Sequence, residues 1–297
     1  FHPGMLIYLD AARSIGPSTR VAERRDAGLN ENLAREIMEL HTLGVGSGYT
    51  QADIIEFAKA LTGWTVGNAQ TARLTSAIAK GARAGRGKGD SRQQPVAAAL
   101  REQIGETVFV DVLHEPGSRT VLSKTYGGPA KQQAAAILED LAHNPATAKH
   151  IATKLARHFV ADQPPASAVT KLEAAFTKSN GDLAMLARAV VDLDEAWGET
   201  QVKFKTPEEL LVSTARAAGM QTAFNGGQRK VYFSLAQQPY SAPSPAGWAD
   251  DTASWSGADA IKKRLEWANS VSRRMTRAES PSEFLDRSLG EIASEKT

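Results

Sequence analysis

The sequence predicts a mainly α fold, an irregular multi-helix domain with a small β-hairpin set into it. Three observations carry this. Apolar residues recur at helical spacing through most of the chain. Residues that start helices stand just ahead of those periodic segments. Runs that read as strands are few and short.

Taken in order, Pro3 suits the first turn of a helix reaching about Ile15. Asn30 is a good N-cap for NENLAREIMELH. Thr50 with Asp53 three residues on resembles a capping box opening QADIIEFAKALTG, and Gly63 can close that helix. Pro129, Pro145 and Pro207 each stand where a helix starts, with Asn144 and Thr206 placed as N-caps before two of them. Further periodic segments are 130–142, 145–160, 166–178, 182–196, 207–218, 228–237, 257–272 and 281–293. The strand-like runs are WTV at 64–66, TVFVDVL at 107–113 and RTVLS at 119–123. The last two flank HEPGS, a turn-like stretch with Pro and Gly. The expected organisation is one helical domain over 1–272 and a charged, amphipathic tail or helix over 273–297. Residues 67–106, rich in Ala, Gly, Arg and Gln, read as a low-complexity surface insertion.

Composition narrows the function classes. Net charge is +2, so bulk electrostatics favours neither nucleic acid nor an anionic membrane. The chain has no cysteine, which removes disulfides, thiolate metal sites and cysteine nucleophiles. No apolar run is long enough to cross a bilayer as a helix. The chain opens on FHPGMLIYLD with no initiator Met, as expected of a piece of a longer protein. There is no GxGxxG opening a helix after a strand, no Walker loop, no HExxH and no GxSxG, so dinucleotide, nucleotide-triphosphate, zincin and α/β-hydrolase chemistry get little support.

Four constellations carry polar chemistry. On a helical wheel Leu33, Ala34, Ile37, Met38 and Leu40 make an apolar face. Glu31, Arg35 and Glu39 form an i, i+4 row of alternating charge on the opposite face, which reads as an ion-paired solvated surface. Glu36 and Glu39 stand at i, i+3, a spacing at which two carboxylates can share a divalent cation or divide into acid and base. His41 falls on the apolar side of the wheel, as a hydrogen-bonded core residue or a ligand. HEPGSR brings His114, Glu115 and Arg119 together at a strand end, either as a polar hairpin turn or as a functional loop on a rigid strand. KFKTPEE carries Lys203 and Lys205 around Phe204, able to bind an anion, with glutamates that suit a helix N-terminus. In QQPYSAPSPAGWADDTASW, Trp248 and Trp255 either pin a loop to the core or line a groove. His143 is expected at a helix C-terminus, and His150 and His158 in surface or boundary packing.

These segments, in this order, resemble the bacterial family known as domain of unknown function 1800. The resemblance rests on NENLAREIMELHTLGV followed by GYTQADIIEFAKALTGW, the HEPG turn, HNPATAKHIATKLARHFVAD, KFKTPEELLVSTARAAG and QPYSAPSPAGW, and covers nearly all of 1–272. The departures are the stretch at 67–106, and Glu115 and Arg119 where the family more often has Asp and Lys. Members resemble longer, often exported bacterial proteins, often encoded beside an exported family similar to sulfatases. The resemblance implies a periplasmic or extracellular setting and a co-encoded exported partner. It puts weight on Asn30, Glu31, Asn32, Arg35, Glu36, Glu39, His41, Trp64, His114, Lys203, Lys205 and Trp248.

Two functions are expected from this. In the first, a hydrolase-like enzyme acts on an envelope or extracellular polymer. Glu36, Glu39, His114 and Glu115 supply the catalysis, with a divalent metal ion held by Glu36, Glu39 and His114. Arg35, Lys203 and Lys205 hold an anionic substrate, with Asn32 and Trp248 as further contacts. This requires the groups to converge in one cleft. In the second, the chain is a non-enzymatic envelope assembly or binding protein. Its polar signature groups then satisfy one another.

Overall fold

The computed structural model describes residues 2–24, 28–69, 72–73, 103–198, 202–217, 228–275 and 280–289. The chain is mostly helical, with twelve α-helices and two small two-stranded antiparallel sheets among the described residues. None of these helices is long and apolar enough to cross a membrane. Contacts divide the chain into two compact units, Phe1–Ile151 with Phe176–Asp182, and Ala152–Ala175 with Leu183–Thr297.

The first unit opens with α1 (Pro3–Tyr8), with Pro3 in its first turn as expected. The signature helix is α2 (Asn32–Glu36), continued by a π turn over Ile37–His41. Then come α3 (Gln51–Leu61), α4 (Ala130–Ala142) and the start of α5 (Pro145–Phe159). The expected capping box is present: Thr50 accepts from Asp53 N, and the Asp53 carboxylate accepts from Thr50 N at 2.8 Å. Gly63 follows α3 with φ 87°, a left-handed conformation that glycine takes at no steric cost. Asn144 caps α5 through Ala146 N at 2.9 Å, and His143 is the C-cap of α4.

The core of this unit is built from one face of each helix. Leu6, Leu33, Met38, Ile54, Phe57, Ile137 and Leu141 are buried in it, joined by Val121 from the second sheet. On α4 the buried positions are Gln133, Ala134, Ile137 and Leu141, an i, i+1, i+4, i+8 stripe. Gln133 is the polar exception on that stripe.

Three details of the sequence reading are corrected. First, HEPGS is not a hairpin turn. β1 (Trp64–Val66) pairs antiparallel with β2 (Thr107–Phe109), and β3 (Arg119–Val121) pairs with β4 (Lys124–Tyr126). The β3–β4 hairpin turns at Leu122 and Ser123, with φ of 49° and 64°. Without Asn or Gly at those positions, nothing in the sequence marked this turn. The Asp53 carboxylate accepts from Leu122 N at 2.7 Å and holds the turn in place. Second, α2 begins at Asn32 with Glu31 as N-cap, and Asn30 instead accepts from Asn32 N at 2.9 Å. Third, His41 is exposed rather than on the apolar side. The π turn is wider than an α turn, so residues after it depart from the 100° wheel.

The insertion expected at 67–106 lies mostly outside the described residues. Its ends extend the β1–β2 ladder, with Gly67 N donating to Glu106 O and Gly105 N to Gly67 O, each at 2.8 Å.

The second unit contains α7 (Leu183–Val191), α8 (Pro207–Ala217), α9 (Gln228–Ser234), α10 (Thr252–Trp255), α11 (Ala258–Met275) and α12 (Pro281–Leu289), after α6 (Ala166–Lys178). The segment read as 182–196 is α7 followed by a separate 3-10 turn, Asp194–Ala196. Thr206 caps α8, accepting from Glu209 N while the Glu209 carboxylate accepts from Thr206 N at 2.7 Å. Trp255 is buried and its indole donates to Ala249 O at 2.8 Å. Half-buried Trp248 packs against it with ring centroids 5.9 Å apart, so the pair pins the proline-rich loop.

Candidate functional site

The 3-10 turn Asp111–Leu113 leads into a sharp bend, His114–Gly117, before β3. Every charged or aromatic group of this bend turns inward. His114, Glu115 and Arg119 are 6%, 5% and 6% exposed. His114 Nδ1 lies 2.7 Å from Thr62 O. A carbonyl only accepts, so Nδ1 carries the hydrogen, and in the neutral ring Nε2 keeps its lone pair. That Nε2 is buried with no partner. Glu115 N donates to Thr62 Oγ1 at 2.8 Å, and Glu115 Oε2 accepts from Ser18 N at 2.8 Å. Gly16 N donates to Leu113 O at 2.9 Å. Arg119 donates to Pro116 O and reaches Glu56 Oε2 at 3.4 Å, while its Nε has no partner. The bend is thus a knot joining the loop after α1, the end of α3 and the second sheet.

A pocket of about 440 Å³ opens beside this knot. Its lining includes exposed Asp111 from the 3-10 turn, His114 and Gly117 from the bend, and Gly127, Ala130 and Gln133 from the approach to α4 and its first turn. Gln133 is 3% exposed. Its amide nitrogen donates to Gly117 O at 2.8 Å, and its Oε1 is buried without a partner. Thr62, Gln133, Asp111 and Ser18 were missed as site residues. Only Gln133 carried a readable signal, a polar residue on an apolar helical stripe.

The signature helix presents a different arrangement. Arg35 pairs with Glu31 at 3.1 Å and Glu39 at 3.6 Å, and donates to Gln51 Oε1 at 2.9 Å. Gln51 in turn donates to Glu31 at 2.6 Å. Glu36 is half-buried, and its carboxyl is pushed up first by burial and then by the neighbouring Glu39 charge, with Arg35 opposing. The Tyr49 hydroxyl is pushed up by burial and by Glu39. Asn32 is exposed. Gln51 opens α3 and Thr62 follows its last residue. At 1.5 Å per residue, the Arg35 and His114 contacts on that helix lie about 16 Å apart. Among the described residues no three His, Asp or Glu side chains form a group able to hold a metal ion, so Glu36, Glu39 and His114 are not brought together as a ligand set.

The lysine segment lies in the second unit. Lys203 Nζ donates to Asp162 Oδ1 at 2.7 Å and also to Asp250 O. Asp162 Oδ2 accepts from Thr252 N at 2.7 Å. His158 Nδ1 lies 3.1 Å from Asp250 Oδ1. Lys203 therefore clamps α10 and its preceding loop. Lys205 is exposed, and Arg264 covers the Phe204 ring at 4.4 Å. Lys203 and Thr252 hold the Asp162 carboxyl down to about 2, against an ordinary 3.8. A depressed folded pKa contributes stability above the unfolded value and loses it as pH falls through the folded one. The stability difference between wild type and Asp162→Asn is accordingly expected to be full above about pH 4 and to vanish by about pH 2. Urea unfolding across that range checks it; a difference that persists at pH 2 would remove this carboxylate as its source.

A two-unit helical protein, with a buried His-Glu-Arg knot set between two short sheets, is the class these observations define. The model of the family described as "Protein of unknown function (DUF1800)" matches residues 1–297, and the chain belongs to that family. No curated protein and no solved structure matches it.

Proposed function

We propose that this chain is a non-enzymatic binding protein of the bacterial envelope whose ligand site is the pocket beside the His114–Gly117 bend. The observation that carries the reading is that Glu39 and Glu115, two of the four expected catalytic groups, are spent on structural partners. Arg35, Glu31, Glu39 and Gln51 satisfy one another at one end of α3. Glu115 and Arg119 are engaged at the other. Lys203 is held by Asp162. By contrast, the buried partnerless acceptors of His114 and Gln133 belong to residues lining one pocket. The periplasmic or extracellular setting and a co-encoded exported partner come from the family resemblance.

A hydrolase acting on an envelope polymer is the second reading. One observation favours it: with Nδ1 facing Thr62 O, a neutral His114 ring leaves Nε2 the lone pair that a general base needs. The experiment that separates the two is metal content and polymer hydrolysis by the full chain, beside a Glu36→Gln, Glu39→Gln variant. The binding reading expects no stoichiometric metal in either protein. It expects a stability change within about 1 kcal/mol, because a half-exposed ion pair at i, i+4 contributes little. Metal or hydrolysis present in the wild type would overturn it, whether or not the variant loses it.

A further inference from the structure

We infer that this chain associates with a second copy of itself through the proline-rich loop of the second unit, with Tyr240 of each copy as the anchor. This is independent of the pocket and goes beyond the reading above. It starts from a backbone outlier. Pro239 and Tyr240 form the middle of a turn closed by Ser241 N donating to Gln238 O at 3.3 Å, and Tyr240 has φ 57°. A proline followed by a positive φ is the type II pattern, whose third position is ordinarily glycine or asparagine. A tyrosine there is strained by its Cβ. Ala236 also has a positive φ, 61°, but it closes α9 in the Schellman manner, with Gln237 N donating to Tyr232 O at 3.1 Å. Tyr240 closes no helix. It is fully exposed, at 107%, so no packing within its own chain offsets the strain. An outlier of this kind points to use at the surface that carries it.

The loop holds that ring out to solvent on fixed feet. Buried Gln237 accepts from Glu208 N at 2.8 Å, and Trp255 donates to Ala249 O. Between these feet every residue from Pro239 to Ala246 is exposed. A second turn stiffens the return, with Gly247 N donating to Ser244 O at 3.0 Å. A loop held in this way loses little freedom on binding, and tyrosine is enriched among the residues that dominate interfaces.

Charge selects the occupant. No charged residue stands between Lys230 and Asp250, and exposed Phe233 lies in the same run. The loop therefore offers a charged partner nothing to recognise. It can face its own copy without like-charge repulsion, and a net charge of +2 on the whole chain adds little. Homodimer contacts are more apolar than other interfaces. One patch facing itself about a two-fold axis also needs no second, different patch.

The test is sedimentation velocity of the full chain from about 1 μM to about 1 mM. Tyr240→Gly deletes the ring while relieving the strain. The expected result is a concentration-dependent dimer in the wild type, weakened about tenfold or more in Tyr240→Gly. Tyr8→Ala, at an exposed tyrosine of the first unit, should leave it unchanged. The dimer should persist between about 0.05 and 0.5 M salt, because no charge stands in the loop. At the dilute end the urea midpoint of Tyr240→Gly should equal or exceed that of wild type. A monomer at every concentration, a dimer that Tyr240→Gly leaves intact, one lost equally in Tyr8→Ala, or one dispersed by salt would overturn the inference. So would a urea midpoint lowered by Tyr240→Gly, which would mean that the ring packs on its own chain.

Discussion

Gly16→Ala is expected to undo the knot at the bend and cost about 3 kcal/mol. An added Cβ would lie 2.5 Å from Glu115 N, 2.6 Å from Glu115 Cα and 2.8 Å from Glu115 Oε2. Two of these three are backbone atoms, which cannot swing aside. Gly16 is itself buried and anchored: its N–H donates to Leu113 O, and its carbonyl accepts from Thr19 Oγ1 at 2.7 Å. Either the loop after α1 lifts off the bend or the bend moves away from Thr62. A loss of this size is a large fraction of the roughly 5–15 kcal/mol that holds a domain together. Amide exchange at Ser18 and Glu115 should accelerate together, since both N–H groups bond within the knot. Gly28→Ala is the control, because a Cβ there meets nothing within 4 Å. Equal exchange rates in wild type and Gly16→Ala would mean that the loop and the bend are not packed as described.

The second large effect is expected at Glu115, where two substitutions separate a structural role from a catalytic one. Glu115→Leu removes the acceptor of Ser18 N and places an apolar group against it. Leaving that donor unsatisfied costs about 1–3 kcal/mol, with a further loss from misfit in a site this tightly packed. Glu115→Gln keeps a carbonyl oxygen for Ser18 N and nearly the same shape, so it should fold within about 1 kcal/mol of wild type. Comparing urea midpoints of the two variants tests this. Near-normal stability with all function lost in Glu115→Gln would reassign the carboxylate to chemistry.

The sequence carried most of the helical architecture because its signals are local. Capping residues, prolines and apolar spacing act within a few residues, and α4 and α6 came out at their expected limits, 130–142 and 166–178. The sheets were less legible. WTV was readable as a strand, but its partner depends on a contact across some forty positions, and the β3–β4 turn uses Leu122 and Ser123 in a conformation that ordinary residues seldom take. The site was legible in part. His114 and Glu115 stood out as polar groups at a strand end. Their partners Thr62 and Ser18 did not, because a threonine after a helix and a serine in a loop look ordinary until folding brings them together. Glu36, Glu39 and Arg35 stood out for charge alone, and in the fold Arg35 and Glu39 spend theirs on each other, on Glu31 and on Gln51.

The β1–β2 ladder has a consequence for how this chain can vary. The long segment between Gly67 and Gly105 leaves and re-enters at adjacent rungs, so its two ends are clamped whatever lies between them. Closure entropy grows only with the logarithm of the length closed, about 0.6 kcal/mol for each doubling. The ladder is therefore a port: apart from Ala72, which is buried with Ile15, Val108 and Leu113, sequence can be added or removed there at little thermodynamic cost to the helices and the bend on the other side of the clamp.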